Sequence, residues 1–150
     1  KTGNHLLGKM CAIIAGDEMR HHLAYREFVK LIMDQDPSQM ILAFADMMKK
    51  KIVMPAHFLR ESGGAASSAF EVFSNCAQRL GVYTSKDYID ILEKLNSYWD
   101  IENVRAISDE AEKARDYLVK LPSRLTRISE RIKFPEDQHH FKWVTPNGVL

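Results

Sequence analysis

The 150-residue sequence predicts an all-α protein, a helical bundle followed by a short extended tail. Three observations predict it. Apolar residues recur at spacings of three and four along most of the chain, the period of one helix face. Cap residues Asp36, Thr84 and Ser108 stand at the starts of periodic segments, and Gly81 stands just past the end of one. A composition of 45% hydrophobic and 27% charged residues, with 7 Gly and 5 Pro, belongs to one ordinary folded domain and excludes disordered and collagen-like chains.

The first helix is predicted from about His5 to Met33, with Met10, Ile14, Glu18, His21, Tyr25, Phe28 and Ile32 on one face at spacings of 4, 4, 3, 4, 3 and 4. Its 29 residues make a rod of roughly 43 Å. Asp34 to Pro37 ends it. Asp36 then caps a second helix that has Pro37 in its first turn and runs to about Lys50, with Met40, Ile41, Phe44, Met47 and Met48 as its apolar residues. Lys49, Lys50 and Lys51 suit the negative end of that helix dipole, or alternatively a partner. Ile52 to Phe58 bends at Pro55, and Glu61 to Ser68 reads as a loop. A third helix starts near Ser67 or Ser68, carries Phe70, Phe73, Ala77 and Leu80, and stops at Gly81. Thr84, with Asp87 three residues on, opens a fourth helix with Tyr88, Ile91, Leu92, Leu95 and Trp99 as its stripe. Ser108 caps a fifth segment whose Asp109, Glu110 and Glu112 suit its positive dipole end. Pro122 is expected to break that segment in two near Lys120, the second piece ending by Lys133. In the tail, Phe141, Trp143 and Val144 precede Asn147-Gly148 in a weak hairpin pattern.

The charge is nearly balanced, with 21 Lys plus Arg against 20 Asp plus Glu, so the chain is not a general polyanion binder and no nucleic-acid partner is expected. The longest apolar runs are cut by Asp17 and Asp46, well short of the roughly 18 residues of a membrane span. Cys11 and Cys76, 65 positions apart in apolar helical context, fit buried reduced thiols. The chain opens on Lys1 directly ahead of a helical pattern, which suggests a piece of something longer.

The chemistry concentrates on the first helix, where Glu18 and His21 interrupt an apolar stripe. An unpaired buried carboxylate costs several kcal/mol, so the pair calls for a compensating partner. Residues at i and i+3 lie one above the other, so carboxylate and imidazole can converge on one ion, and that donor pair suits iron or manganese. The alternative is a helix face turned to solvent or an internal salt bridge with Arg20. Asp17, on the rim of the stripe, either orients a histidine of another helix or faces solvent. His22 faces solvent or supports the ligands from behind. A second Glu-x-x-His, Glu136 and His139, sits in the Pro-containing tail and reads as surface. Tyr25, Met54, Pro55, Phe70 and Phe73 either line an apolar tunnel or belong to plain core. Arg124, Arg127 and Arg131 form a basic helix face, solvated or turned to an acidic partner. There is no phosphate loop, nucleophile elbow or Cys-x-x-Cys.

These residues resemble a known family. Ile14 to His21, Leu42 to Ile52, Met54 to His57, and Ala77 to Glu93 look like the soluble acyl-carrier-protein desaturases, and the likeness continues more loosely through Asp116-Tyr117 and Leu121-Pro122 to Trp143. The resemblance implies a ferritin-like helical core with additional C-terminal helices and two irons. It implies oxygen-dependent removal of two hydrogens from an acyl chain carried on acyl carrier protein, leaving a cis double bond. It also implies a ferredoxin-type electron donor and a homodimer. By matching position Glu18 resembles a bridging carboxylate and His21 a terminal imidazole, both catalytic metal ligands, with Asp17 an acid that supports a ligand from behind. Tyr25, Met54, Pro55 and Phe70 match substrate-tunnel positions, and Glu71 an acid near the tunnel mouth.

The family pattern needs a Glu from each of two helices and a Glu-x-x-His from each of two others. This chain offers one such pair, so residues 1–150 are expected to be the C-terminal part of a single di-iron domain whose earlier helices lie before Lys1, and inactive in isolation. Divergence around Gln138 to His140 points to a bacterial, cytoplasmic source, with the plastid stroma expected if the source is a plant. The competing readings are another ferritin-like di-iron oxidase without an acyl tunnel, and a non-enzymatic helical module that uses the arginine face.

Overall fold

Asn4 starts the first helix, α1 (His5–Gln35), its side-chain oxygen accepting the Leu7 N–H at 3.1 Å. The computed structural model describes residues 3–50, 68–105 and 108–132. At 31 residues α1 is about 46 Å long. It ends where the Asp36 N–H reaches the Ile32 carbonyl at 2.8 Å, and Asp36 at once becomes the cap of α2 (Pro37–Lys49), accepting the Gln39 N–H at 3.1 Å. One aspartate thus closes one helix and opens the next.

The remaining elements are α3 (Ser68–Arg79), α4 (Ser85–Tyr98), a 3-10 turn at Ile101–Asn103, and α5 (Asp109–Ser129). The class is all-α, as the periodicity predicts, and no strand occurs among the described residues. The tail hairpin expected around Phe141 to Leu150 lies outside them, as does Glu136 with His139. Gly81 stops α3 in the left-handed conformation (φ 66°), with its own N–H on the Gln78 carbonyl at 3.1 Å and the Val82 N–H on the Ala77 carbonyl at 2.9 Å. This is a complete Schellman stop. Asp87 accepts both the N–H and the hydroxyl of Thr84 at 2.7 Å, closing the reciprocal cap that the sequence spacing anticipates. Ser108 caps α5 by accepting the Ala111 N–H at 3.2 Å.

The chain divides into two units, one of Lys1–Lys49 with Leu95–Val119, the other of Lys50–Lys94 with Lys120–Leu150. The first has its core around Met33, Ile41, Phe44, Ile101, Ala114 and Leu118, all buried, with Ile41, Ile101 and Leu118 sealed completely. Trp99 joins three of its segments. Its ring stands edge-on to Phe44 of α2 (5.4 Å between centroids, 89°), and its Nε1–H donates to the Arg26 carbonyl of α1 at 3.0 Å. Beside it the Tyr98 hydroxyl donates to the Glu27 carboxylate, and the Arg26 guanidinium lies over the Tyr98 ring at 3.8 Å. Ile89, Leu92 and Leu121 are buried in the second unit.

The expected break at Pro122 is corrected: α5 is one continuous helix with Pro122 inside it. An internal proline has no N–H for the carbonyl four residues earlier, here that of Leu118, which costs about 3 kcal/mol when nothing compensates. Asn96 compensates, since its Nδ2 donates to the Leu118 carbonyl at 2.9 Å, and the Thr126 and Ser123 hydroxyls donate to the Pro122 and Lys120 carbonyls at 3.1 and 3.0 Å. Sequence spacing carries no sign of a donor 22 residues upstream.

Asn96→Leu is therefore expected to destabilise the chain by about 1–3 kcal/mol, because it strands a buried acceptor. Pro122→Ala should restore most of that loss in the Asn96→Leu background, since the substituted residue regains the helical N–H. Thermal unfolding of the four chains of this double-mutant cycle measures the coupling; purely additive effects would contradict the account.

Candidate functional site

Glu18 and His21 fall in the middle of α1, where the i, i+3 spacing stacks them. The His21 Nδ1 stands 3.5 Å from Glu18 Oε2. The neighbouring Arg20 pairs instead with Asp17, leaving the Glu18 carboxylate to the imidazole. Of the alternatives open in the sequence, the internal salt bridge of Arg20 thus exists but engages Asp17. For Asp17 itself the geometry gives a partly exposed acid paired within its own helix, and among the described residues no histidine of another helix is in contact with it.

Among the described residues this face is open, the solvent-facing alternative for this stretch of chain. Side-chain exposure is 72% for Glu18 and 61% for His21, and Met10, Ile14, Tyr25, Phe28 and Ile32 of the same stripe are all exposed. Met33 is the one buried residue of α1. No described element packs over the stripe, so its apolar residues and the Glu–His pair share one open surface. Cys11, expected as a buried thiol, is exposed on the same helix, while Cys76 is half-buried. Tyr25 lies edge-on to Phe28, with ring centroids 6.4 Å apart.

A carboxylate and an imidazole on one helix face, neither taken by a cation among the described residues, make half of a metal-binding set, and their hard and borderline donors fit iron or manganese. Among the described residues no three of His, Cys, Asp and Glu converge. The pair fits such an ion in donor chemistry and falls short in number.

A family model described as fatty acid desaturase matches residues 1–145. The chain belongs to the fatty acid desaturase family. Among curated relatives, the chloroplastic stearoyl-[acyl-carrier-protein] 9-desaturase of Spinacia oleracea is 48% identical over 150 residues, covering 98% of this chain and 37% of the relative. The corresponding enzyme of Olea europaea is 50% identical over 129 residues, 86% of this chain and 33% of its own length. A chloroplastic palmitoyl-[acyl-carrier-protein] 4-desaturase of Ophrys sphegodes is 47% identical over 152 residues, 99% of this chain and 38% of its own length. The chain spans about a third of the length of these relatives.

The expected tunnel residues of this desaturase-family chain fall as follows. Tyr25 belongs to the first unit; Phe70 and Glu71 fall on the backbone of α3; Met54 and Pro55 lie outside the described residues. The second unit holds an apolar cavity of about 690 Å³ lined by Phe73, Ala77, Tyr83, Tyr88, Leu125 and Ile128 among others. Of these, Phe73 alone was singled out as a tunnel candidate by the sequence. Burial beside the cavity pushes the Tyr83 hydroxyl above its ordinary range, with the Tyr88 and Asp87 charges adding to the effect. Arg124, Arg127 and Arg131 are exposed, Arg127 donating to the Ser123 carbonyl at 3.3 Å. No described helix is long and apolar enough to cross a membrane.

The residues that sequence reasoning missed are Glu27 and Tyr98. The Tyr98 O–H, with Arg26 beside it, holds the Glu27 carboxyl below the usual carboxylate range, and Glu27 in turn pushes the Tyr98 hydroxyl up. Their contact spans 71 positions, so no local spacing marks it.

The two shifts act at opposite ends of the pH scale. Glu27, depressed in the folded chain, contributes stability that is present above its unfolded pKa and lost as pH falls through the folded value. Tyr98, raised, contributes stability that is present below its unfolded pKa and lost as pH rises through the folded value. The stability difference between wild type and Tyr98→Phe is accordingly expected to be largest between about pH 5 and 9 and to shrink below about pH 4 and above about pH 10. Denaturant unfolding of both chains across that range reads it, and a pH-independent difference would remove the hydrogen bond as its cause.

Proposed function

We propose that this chain is the C-terminal part of a di-iron, oxygen-dependent acyl-[acyl-carrier-protein] desaturase, and that Glu18 and His21 supply part of its metal site. The observation that carries the reading is the pair itself: a carboxylate and an imidazole 3.5 Å apart, centred on an apolar helix face that no described element covers. Exposed apolar stripes of this length on a helix mark surfaces that meet further protein. The names of relatives 47–50% identical across the same stretch support the reaction class.

In this reading Glu18 and His21 hold iron together with ligands from the rest of the protein, and the bound iron supplies oxygen activation. The net reaction removes two hydrogens from adjacent carbons of the acyl chain and forms a cis double bond. Two electrons from a ferredoxin-type donor and two protons complete the reduction of O2 to two waters. The chain's own residues do the work of placement. Asp17, one residue before Glu18 and paired with Arg20, is the acid that supports a ligand from behind. Tyr25, Met54, Pro55 and Phe70 line the acyl path, and Glu71 stands near its mouth. The protein works as a homodimer with acyl carrier protein bearing the substrate. Its compartment follows its source, the plastid stroma in a plant and the cytoplasm in a bacterium.

Two results are expected. In the full-length protein, Glu18→Ala or His21→Ala should lower iron content and desaturated product together, by at least about 100-fold in rate, since direct ligands exceed the 10–100-fold effects typical of their supporting residues. The isolated 150-residue chain should bind iron weakly and form no product. Two tightly held irons per isolated chain would contradict the assignment of the remaining ligands to other segments.

A further inference from the structure

The exposed stripe of α1 has a counterpart on the helix's back. Taking 100° per residue from Glu18, the residues His21, Tyr25, Phe28, Ile14, Met10 and Ile32 share a sector of about 80° with it. Arg26, Glu27, Lys30 and Met33 centre about 150° away. That opposite side is where the first unit grips the helix. The Trp99 indole donates to the Arg26 carbonyl at 3.0 Å, the Tyr98 hydroxyl donates to Glu27, and the Tyr98 ring carries the Arg26 guanidinium at 3.8 Å and the Lys30 ammonium at 5.6 Å. Met33 is buried one turn further on. Trp99 is itself fixed by its edge-on contact with Phe44.

We propose that Tyr98 and Trp99 are positioning residues for Glu18 and His21, fixing the rotation and axial height of α1 so that the carboxylate–imidazole pair meets the groups that complete its site. The inference rests on the metal-binding reading given above. Its physical basis is leverage. Arg26 lies five residues beyond His21 and eight beyond Glu18, about 7.5 and 12 Å along the axis, within the stiff span of one helix. Side-chain tips stand 5–6 Å from the axis, so a rotation of about 20° displaces them by about 2 Å. Metal–ligand distances tolerate only about 0.2 Å. The two contacts are complementary: a bond to a backbone carbonyl fixes height, and a ring held by Glu27, Arg26 and Lys30 resists rotation. Neither side chain touches the pair.

The test uses the full-length protein, loaded with Co(II) in place of iron because its visible bands report ligand geometry. Trp99→Phe and Tyr98→Phe, singly and together, remove the donors and keep aromatic bulk. The double variant is expected to shift the Co(II) bands and weaken Co(II) binding about 10–100-fold, the range for residues that orient metal ligands. Asn96→Leu, which loosens α4 from α5 without touching α1, controls for lost stability and should leave the bands in place. Should the double variant fail to fold, Trp99→Phe alone carries the comparison. Wild-type bands and affinity in the clamp variants, or an identical shift in Asn96→Leu, would overturn the positioning role while the metal reading stood. Unchanged Co(II) bands in Glu18→Ala and His21→Ala would instead remove the metal reading, and the positioning role with it.

Discussion

The first unit hangs on the indole of Trp99. A tryptophan brings a large apolar ring and one N–H that must find an acceptor when it is taken out of water. Here the ring is spent against Phe44 of α2 and the N–H against a backbone carbonyl of α1, so one side chain at the end of α4 fixes two other helices. Helix α1 needs this support because 31 residues with a single buried side chain gain little from core packing. Remove the indole, and α1 keeps its cap at Asn4 and its turn at Asp36, but the register of its middle against the unit is no longer set.

The last turn of α4 repeats this device. Asn96 donates to the Leu118 carbonyl of α5, three residues before Trp99 donates to the Arg26 carbonyl of α1. Main-chain carbonyls have two acceptor sites, so a helix carbonyl accepts a side-chain donor without leaving its own ladder, and beside a proline it has a vacancy to fill. Such bonds specify position more sharply than hydrophobic contact does, because they have direction as well as proximity. In this chain the apolar core supplies cohesion, and the amide and indole of α4 supply alignment.

The element order, the caps and the class were legible because they depend on short-range rules. Asp36 before Pro37, Thr84 with Asp87, Ser108 ahead of three acids, and Gly81 after a periodic run each act within four residues of themselves. Pro122 was misread because its compensation comes from Asn96, on another helix. The Glu–His pair was legible as chemistry, since polar residues on an apolar stripe stand out whatever covers them. Its burial was not legible, because periodicity reports which face a helix would bury and says nothing of whether a neighbour is present to bury it. Tyr98 illustrates a further limit: an amphipathic residue at a helix end has no distinctive spacing, and its bond to Glu27 exists only once the last residue of α4 reaches α1.

Mechanically, the contacts among the described residues hold α1 towards one end. Its far third is built into the wall of the first unit at Arg26, Glu27 and Met33, while residues 5–15 are exposed on every side among the described residues. Gly8 sits in that exposed span and Gly16 just past it, and each weakens a helix by about 1 kcal/mol relative to alanine. In a stiff helix any displacement grows with distance from the point that holds it, here Trp99. Glu18 and His21 lie eight and five residues from Arg26, close to that hold, and the exposed residues 5–15 offer their whole circumference to a larger surface.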